Sequence, residues 1–141
     1  MKPEQIQLIH QSFVRLIPFS ELAVRVFRER LFAIEPDLKA IAESSSKEET
    51  ERLAKALALM IEAFGNPTKM RRYARYLGYR FALAGVGPKF YASGQDALLW
   101  TLRHLIPDGQ ESSFEAWREG LALCAEYMEA GHNELVAGLL G

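Results

Sequence analysis

Apolar residues recur every three or four positions in segment after segment of this chain, and nowhere do they alternate at the period of two that a strand requires. That periodicity limits the chain to packed helices, and its prolines and glycines mark where the helices stop. Residues 3 to 17 place Ile6, Ile9, Phe13, Leu16 and Ile17 on one face, and Pro18 ends them. With Ser20 as an N-cap, a second helix runs to about Ile34 with Ala23, Phe27, Leu31 and Ile34 inward. Pro36 opens a short helical turn through Ile41. Two overlapping capping boxes, Ser45 to Glu48 and Ser46 to Glu49, then start a helix over 47 to 65 that stops at Gly65-Asn66-Pro67.

The next helix, over 68 to 84, turns Met70, Tyr73, Ala74, Leu77, Phe81 and Ala84 to the interior. A corner at Gly85-Val86-Gly87-Pro88 leads to a helix over 88 to 106, with Tyr91, Leu98, Leu102, Leu105 and Ile106 in its stripe and Trp100 outside it. After Pro107-Asp108-Gly109, Ser112 and Glu115 form another capping box. The last helix aligns Phe114, Trp117, Leu121, Cys124, Met128, Leu135 and Leu139. The expected fold is all-α, about seven helices in one domain spanning 1–141, a length that can bury a stable core without staples.

Composition narrows the partners. A net charge of −1 gives no overall field to select nucleic acid or an anionic membrane, so neither is expected. The single Cys124 excludes an internal disulfide and a thiolate cluster. The start M-K-P-E-Q-I-Q has no signal-peptide core, and no run of about 18 apolar residues exists, which reads as cytoplasmic. No paired carboxylates, activated nucleophile or metal cluster can be assembled, so no enzymatic activity is expected.

The helix order already suggests a globin-like arrangement. The segments R-V-F-R-E-R-L-F-A-I-E-P-D-L (25–38), L-G-Y-R-F-A-L-A-G-V-G-P-K-F-Y (77–91), A-L-L-W-T-L (97–102) and F-E-A-W-R-E-G (114–120) resemble bacterial single-domain globins and the globin part of flavohaemoglobins. Phe32, Pro36, Tyr91, Leu99, Trp100 and Trp117 all fall where that family places such residues. The resemblance implies a globin fold and, ordinarily, haem.

The same comparison removes the cofactor's holds. Where these globins read L-G-x-x-H-x-x-x-G-V, with the histidine on the iron, this chain has Phe81, which has no lone pair to give. The family's haem-packing phenylalanine corresponds to Ala42, its distal tyrosine to Arg28, and its distal glutamine or histidine to Lys55. Expected, therefore, is a haem-free globin-like module for ligand binding, sensing or protein interaction, similar in kind to the non-haem globin domains of bacterial stress-signalling proteins. Its remodelled pocket would be formed by Arg28, Phe32, Ala42, Lys55, Leu59, Phe81 and Tyr91.

Arg28 and Lys55 at the pocket mouth would suit the carboxylate of a small amphipathic ligand, although both can equally reach solvent with their stems on apolar surface. The alternative is a globin that binds haem and a diatomic gas through other ligation, for which His10, His104, His132 and the Cys124 thiolate are weak candidates. The basic run 69–80, interleaved with Tyr73, Tyr76 and Tyr79, reads first as a solvated face paired with the acidic 43–51 segment. Trp100 is the candidate contact for a homodimer.

Overall fold

The computed structural model describes residues 1–140. Seven α-helices and two 3-10 turns follow one another: α1 (Pro3–Leu16), a turn at Ile17–Phe19, α2 (Ser20–Ile34), α3 (Pro36–Ser44), α4 (Lys47–Glu62), α5 (Pro67–Leu83), a turn at Pro88–Phe90, α6 (Tyr91–Leu105) and α7 (Glu111–Leu140). The all-α expectation and its helix order hold, with no strand among the described residues.

Local chemistry sets most boundaries. Ser46 rather than Ser45 caps α4, its hydroxyl accepting the Glu49 N–H at 3.0 Å. Asn66 does the same for α5, accepting from the Lys69 N–H at 3.2 Å, with Pro67 at the first helical position. Two expected caps are not used. The chain continues through a 3-10 turn into α2, so Ser20 is already helical, and α7 begins at Glu111, which puts Ser112 inside its first turn.

The corner after α5 is a Schellman motif. The Gly85 N–H donates to the Ala82 carbonyl at 3.0 Å and the Val86 N–H to the Phe81 carbonyl at 2.8 Å. The left-handed residue between them must tolerate φ of 88°, which is why Gly85 stands there. Phe81 and Val86 occupy the two positions at which this motif brings apolar side chains together.

The core is built where α1, α4 and α5 pack with α7. Ile9, Met60, Leu77, Trp117 and Cys124 are fully buried there, and the rings of Phe64 and Trp117 meet at 6.3 Å, tilted by 60°. The α5–α7 contact is the most extensive in the molecule. It depends on glycine: a methyl group at Gly78 would overlap the Met128 carbonyl, and one at Gly131 would overlap the Arg75 carbonyl. Both obstacles are backbone, which cannot rotate away as a side chain can.

On the other side α6 packs on α7 and carries α2, which is joined to α3. No residue of α2 is fully buried. Ile17 and Leu139, expected on inward stripes, are instead exposed, Leu139 at 78%. Their helices end or run on where no neighbour covers them, something a local period cannot register.

Gly78→Ala and Gly131→Ala should each destabilise the protein. The gain of about 0.5–1 kcal/mol in helix propensity is outweighed by an overpacking cost of about 1–3 kcal/mol against immobile backbone. Gly94→Ala and Gly138→Ala, where a methyl would meet nothing within 4 Å, should stabilise by that propensity gain alone. Urea unfolding of the four variants checks the opposite signs.

Candidate functional site

Phe81 lies in the last full turn of α5, half-buried and packed against the core cluster that contains Leu77 and Cys124. Its neighbours along the chain are fixed by the Schellman motif below it and the Gly78–Met128 contact above it. The ring therefore sits on a rigid support. Leu59 on α4 and Ala42 on α3 are half-buried, and Lys55 on α4 is exposed.

Arg28 and Phe32 stand one turn apart on α2, with the guanidinium 5.5 Å above the ring centre. They share one side of α2 with Glu21 and Arg25. This side lines an open groove of 710 Å³, with Val24, Phe32 and Ala33 as its apolar surface, Arg25, Arg28 and Lys39 as cations, and Glu21 and Glu29 as acids. Lys55 does not line that groove. Arg25 and Lys39 are its other cations. Arg25 was legible in principle, standing one turn before Arg28; Lys39 arrives only because α3 folds back beside α2.

Tyr91 opens α6 beside the last helix. Its hydroxyl is buried with no hydrogen-bond partner, and burial, with a smaller push from the Glu129 carboxylate, raises its pKa to about 12. His132 on α7 lies near the same corner: a methyl group at Gly87 would come 3.6 Å from its Cε1. Its Nδ1 is also buried and unpartnered. The Pro88–Phe90 turn, just before Tyr91, meets α7 only in the tertiary structure, and His10 Nε2 and Trp117 Nε1 are likewise buried without a partner.

The other candidate donors are spread apart. His104 is exposed and stacked on Trp100 with ring centres 4.9 Å apart, while Arg30 covers that indole at 5.1 Å. Trp100 itself is 38% exposed. Cys124 is enclosed in the core, and burial pushes its thiol up to about 12, which makes it a neutral packing group. Among the described residues no three His, Cys, Asp or Glu side chains gather as a metal site, and no helix is long and apolar enough to cross a membrane.

No protein-family model and no curated protein matches the chain. Solved structures do. A bacterial globin from Campylobacter jejuni superposes with a TM-score of 0.80 over 96% of this chain and 99% of its own, at 20% sequence identity. The fold is therefore the globin fold, shared at an identity of one residue in five.

The two raised pKa values make stability fall in alkali. Unfolded, the thiol and phenol titrate at about 8.5 and 10. Folded, both hold their protons to about 12. Their stabilising effect is complete below the unfolded values and is lost as pH rises through that window, by at most about tenfold in the folding equilibrium per pH unit and group. Cys124→Ala should flatten the decline of the urea midpoint above pH 8.5, whatever it costs at pH 7. A thiol reagent should label Cys124 of the native chain only after denaturant is added.

Proposed function

We propose that this chain is a haem-free, globin-fold module that binds a small apolar or amphipathic ligand and works by occupancy or partner contact rather than by catalysis. One observation carries the reading. Phe81, whose ring packs on the core, stands where the sequence resemblance puts the histidine that binds iron in globins. Carbon offers iron no electron pair, so the proximal hold that haem requires does not fit the residue present. An aromatic ring there also supports the core by apolar burial and dispersion contacts that an empty space would forfeit.

The groove on α2 supports a chemical class for the ligand. Its apolar floor of Val24, Phe32 and Ala33 suits a hydrocarbon segment, and Arg25, Arg28 and Lys39 suit an anionic head. Glu21 and Glu29 on the rim offset part of that charge, which favours one carboxylate over a multiply charged anion.

A second reading, haem binding with other ligation, draws on the buried and unpartnered Nδ1 of His132. Haem titration separates the two. The haem-free reading expects no stoichiometric Soret band that survives gel filtration, and a band that survives but disappears in His132→Ala would establish the second. Phe81→His should confer haem binding on an otherwise unresponsive chain. Mass spectrometry of compounds extracted from the native protein tests the ligand class; recovery of nothing, with no thermal shift on adding fatty acids, would remove it.

A further inference from the structure

One outward face of α5 carries a pattern that the fold does not use. Lys69, Arg72, Tyr76, Tyr79 and Leu83 follow one another at spacings of three and four, and all five are exposed. Tyr76, Tyr79 and Leu83 leave 43%, 37% and 52% of their surface to solvent. The stripe is basic at its start, aromatic in its middle and aliphatic at its end.

The basic end is electrostatically unfavourable by itself. Arg71, Arg72 and Arg75, with Thr68, line one concavity of 320 Å³. Arg71 and Arg75 are like charges at i,i+4, and Arg72 and Arg75 at i,i+3. The first turn of α5 holds no acid, and Lys69 stands in it at the positive end of the helix dipole. Relief within the chain is partial: Glu134 pairs with Arg75, and the Tyr127 ring receives Arg71 at 5.1 Å. Lys69 and Arg72 have no ion-pair partner among the described residues. The acidic 43–51 segment does not reach them.

That segment lies at the other end of the helix. Glu49 grips Arg80 through both carboxylate oxygens and holds the first turn of α4 against the far end of α5. Beside it Glu48, and Glu43 at the end of α3, are exposed and unpaired among the described residues. Arg72 and Arg80 are about 12 Å apart along the helix axis, with Tyr76 and Tyr79 between them.

We propose that this face of α5 is a homodimer interface, on which a second copy docks antiparallel about a two-fold axis between Tyr76 and Tyr79. Such an axis brings Arg72 of one copy level with Leu83 of the other, beside the other copy's α4 acids. The same pairing occurs a second time by symmetry. Aromatic side chains then lie at the centre and charges at the rim, the arrangement found in stable interfaces. A second copy answers the unpaired arginines with carboxylates and covers the exposed rings at once. The interface is small and charge-dependent, so the dimer is weak and salt-sensitive.

Sedimentation velocity over a concentration series tests it, with circular dichroism confirming that variants remain folded. The native chain should show a monomer–dimer equilibrium that weakens with salt. Arg72→Glu and Tyr79→Glu should each weaken it by about tenfold or more, and combining Arg72→Glu with Glu48→Arg should restore most of the loss. A chain that stays monomeric at every concentration would overturn the proposal. So would a dimer indifferent to both single variants and abolished by Trp100→Ala, which would place the interface on α6.

Discussion

Everything in the larger half of the molecule depends on how closely α5 and α7 approach. Two backbones meet at Gly78 and Gly131 with no room for a β-carbon on either helix. The contact gives up helix propensity at two positions to gain apolar burial along both helices, including Leu77, Trp117 and Cys124. Because the obstacles are carbonyl groups, the spacing is held by covalent structure and not by adaptable side chains. Phe81, one turn beyond Gly78, inherits that rigidity.

Rigidity on one side contrasts with openness on the other. The Schellman corner at Gly85 and the core beneath it fix the end of α5, while α2 rests on α6 and α3 and buries none of its residues fully. A helix covered on one side only has its apolar and cationic side chains available for something else. Arg28, Phe32 and the groove around them belong to this half. The scaffold and the proposed binding surface are thus drawn from parts of the fold with different packing, an arrangement that lets the second vary without loss of the first.

Charge follows a similar division. Glu49 is bound to Arg80 first and to Arg52 second, and these hydrogen bonds hold its carboxyl below the usual carboxylate range despite the opposing effect of burial. That cluster joins α4 to α5 and is structural. Arg71, Arg72 and Arg75 form no comparable cluster, since one acid and one ring serve all three. Basic residues on one helix therefore separate into a tie at its far end and an incompletely neutralised face at its start.

Much of the architecture was legible because its causes are local. Periods of three and four, Pro67 and Pro88 at helix starts, and Gly85 at a left-handed position all act within a few residues, and the helix order followed from them. The inward turn of Phe81 was readable for the same reason. Where a helix outruns its neighbours, the period misleads, as Ile17 and Leu139 show. The site was less legible. Arg28 and Phe32 are neighbours on one helix, so their pairing was open to inspection, whereas Lys39 joins their groove from α3. What the sequence alone determined is which segments are helical and that position 81 has no donor for iron, since both depend only on residue type and local order. Which helices touch, how closely α5 meets α7, and which charges remain unanswered were decided by the tertiary structure, because they depend on distances between segments far apart in the chain.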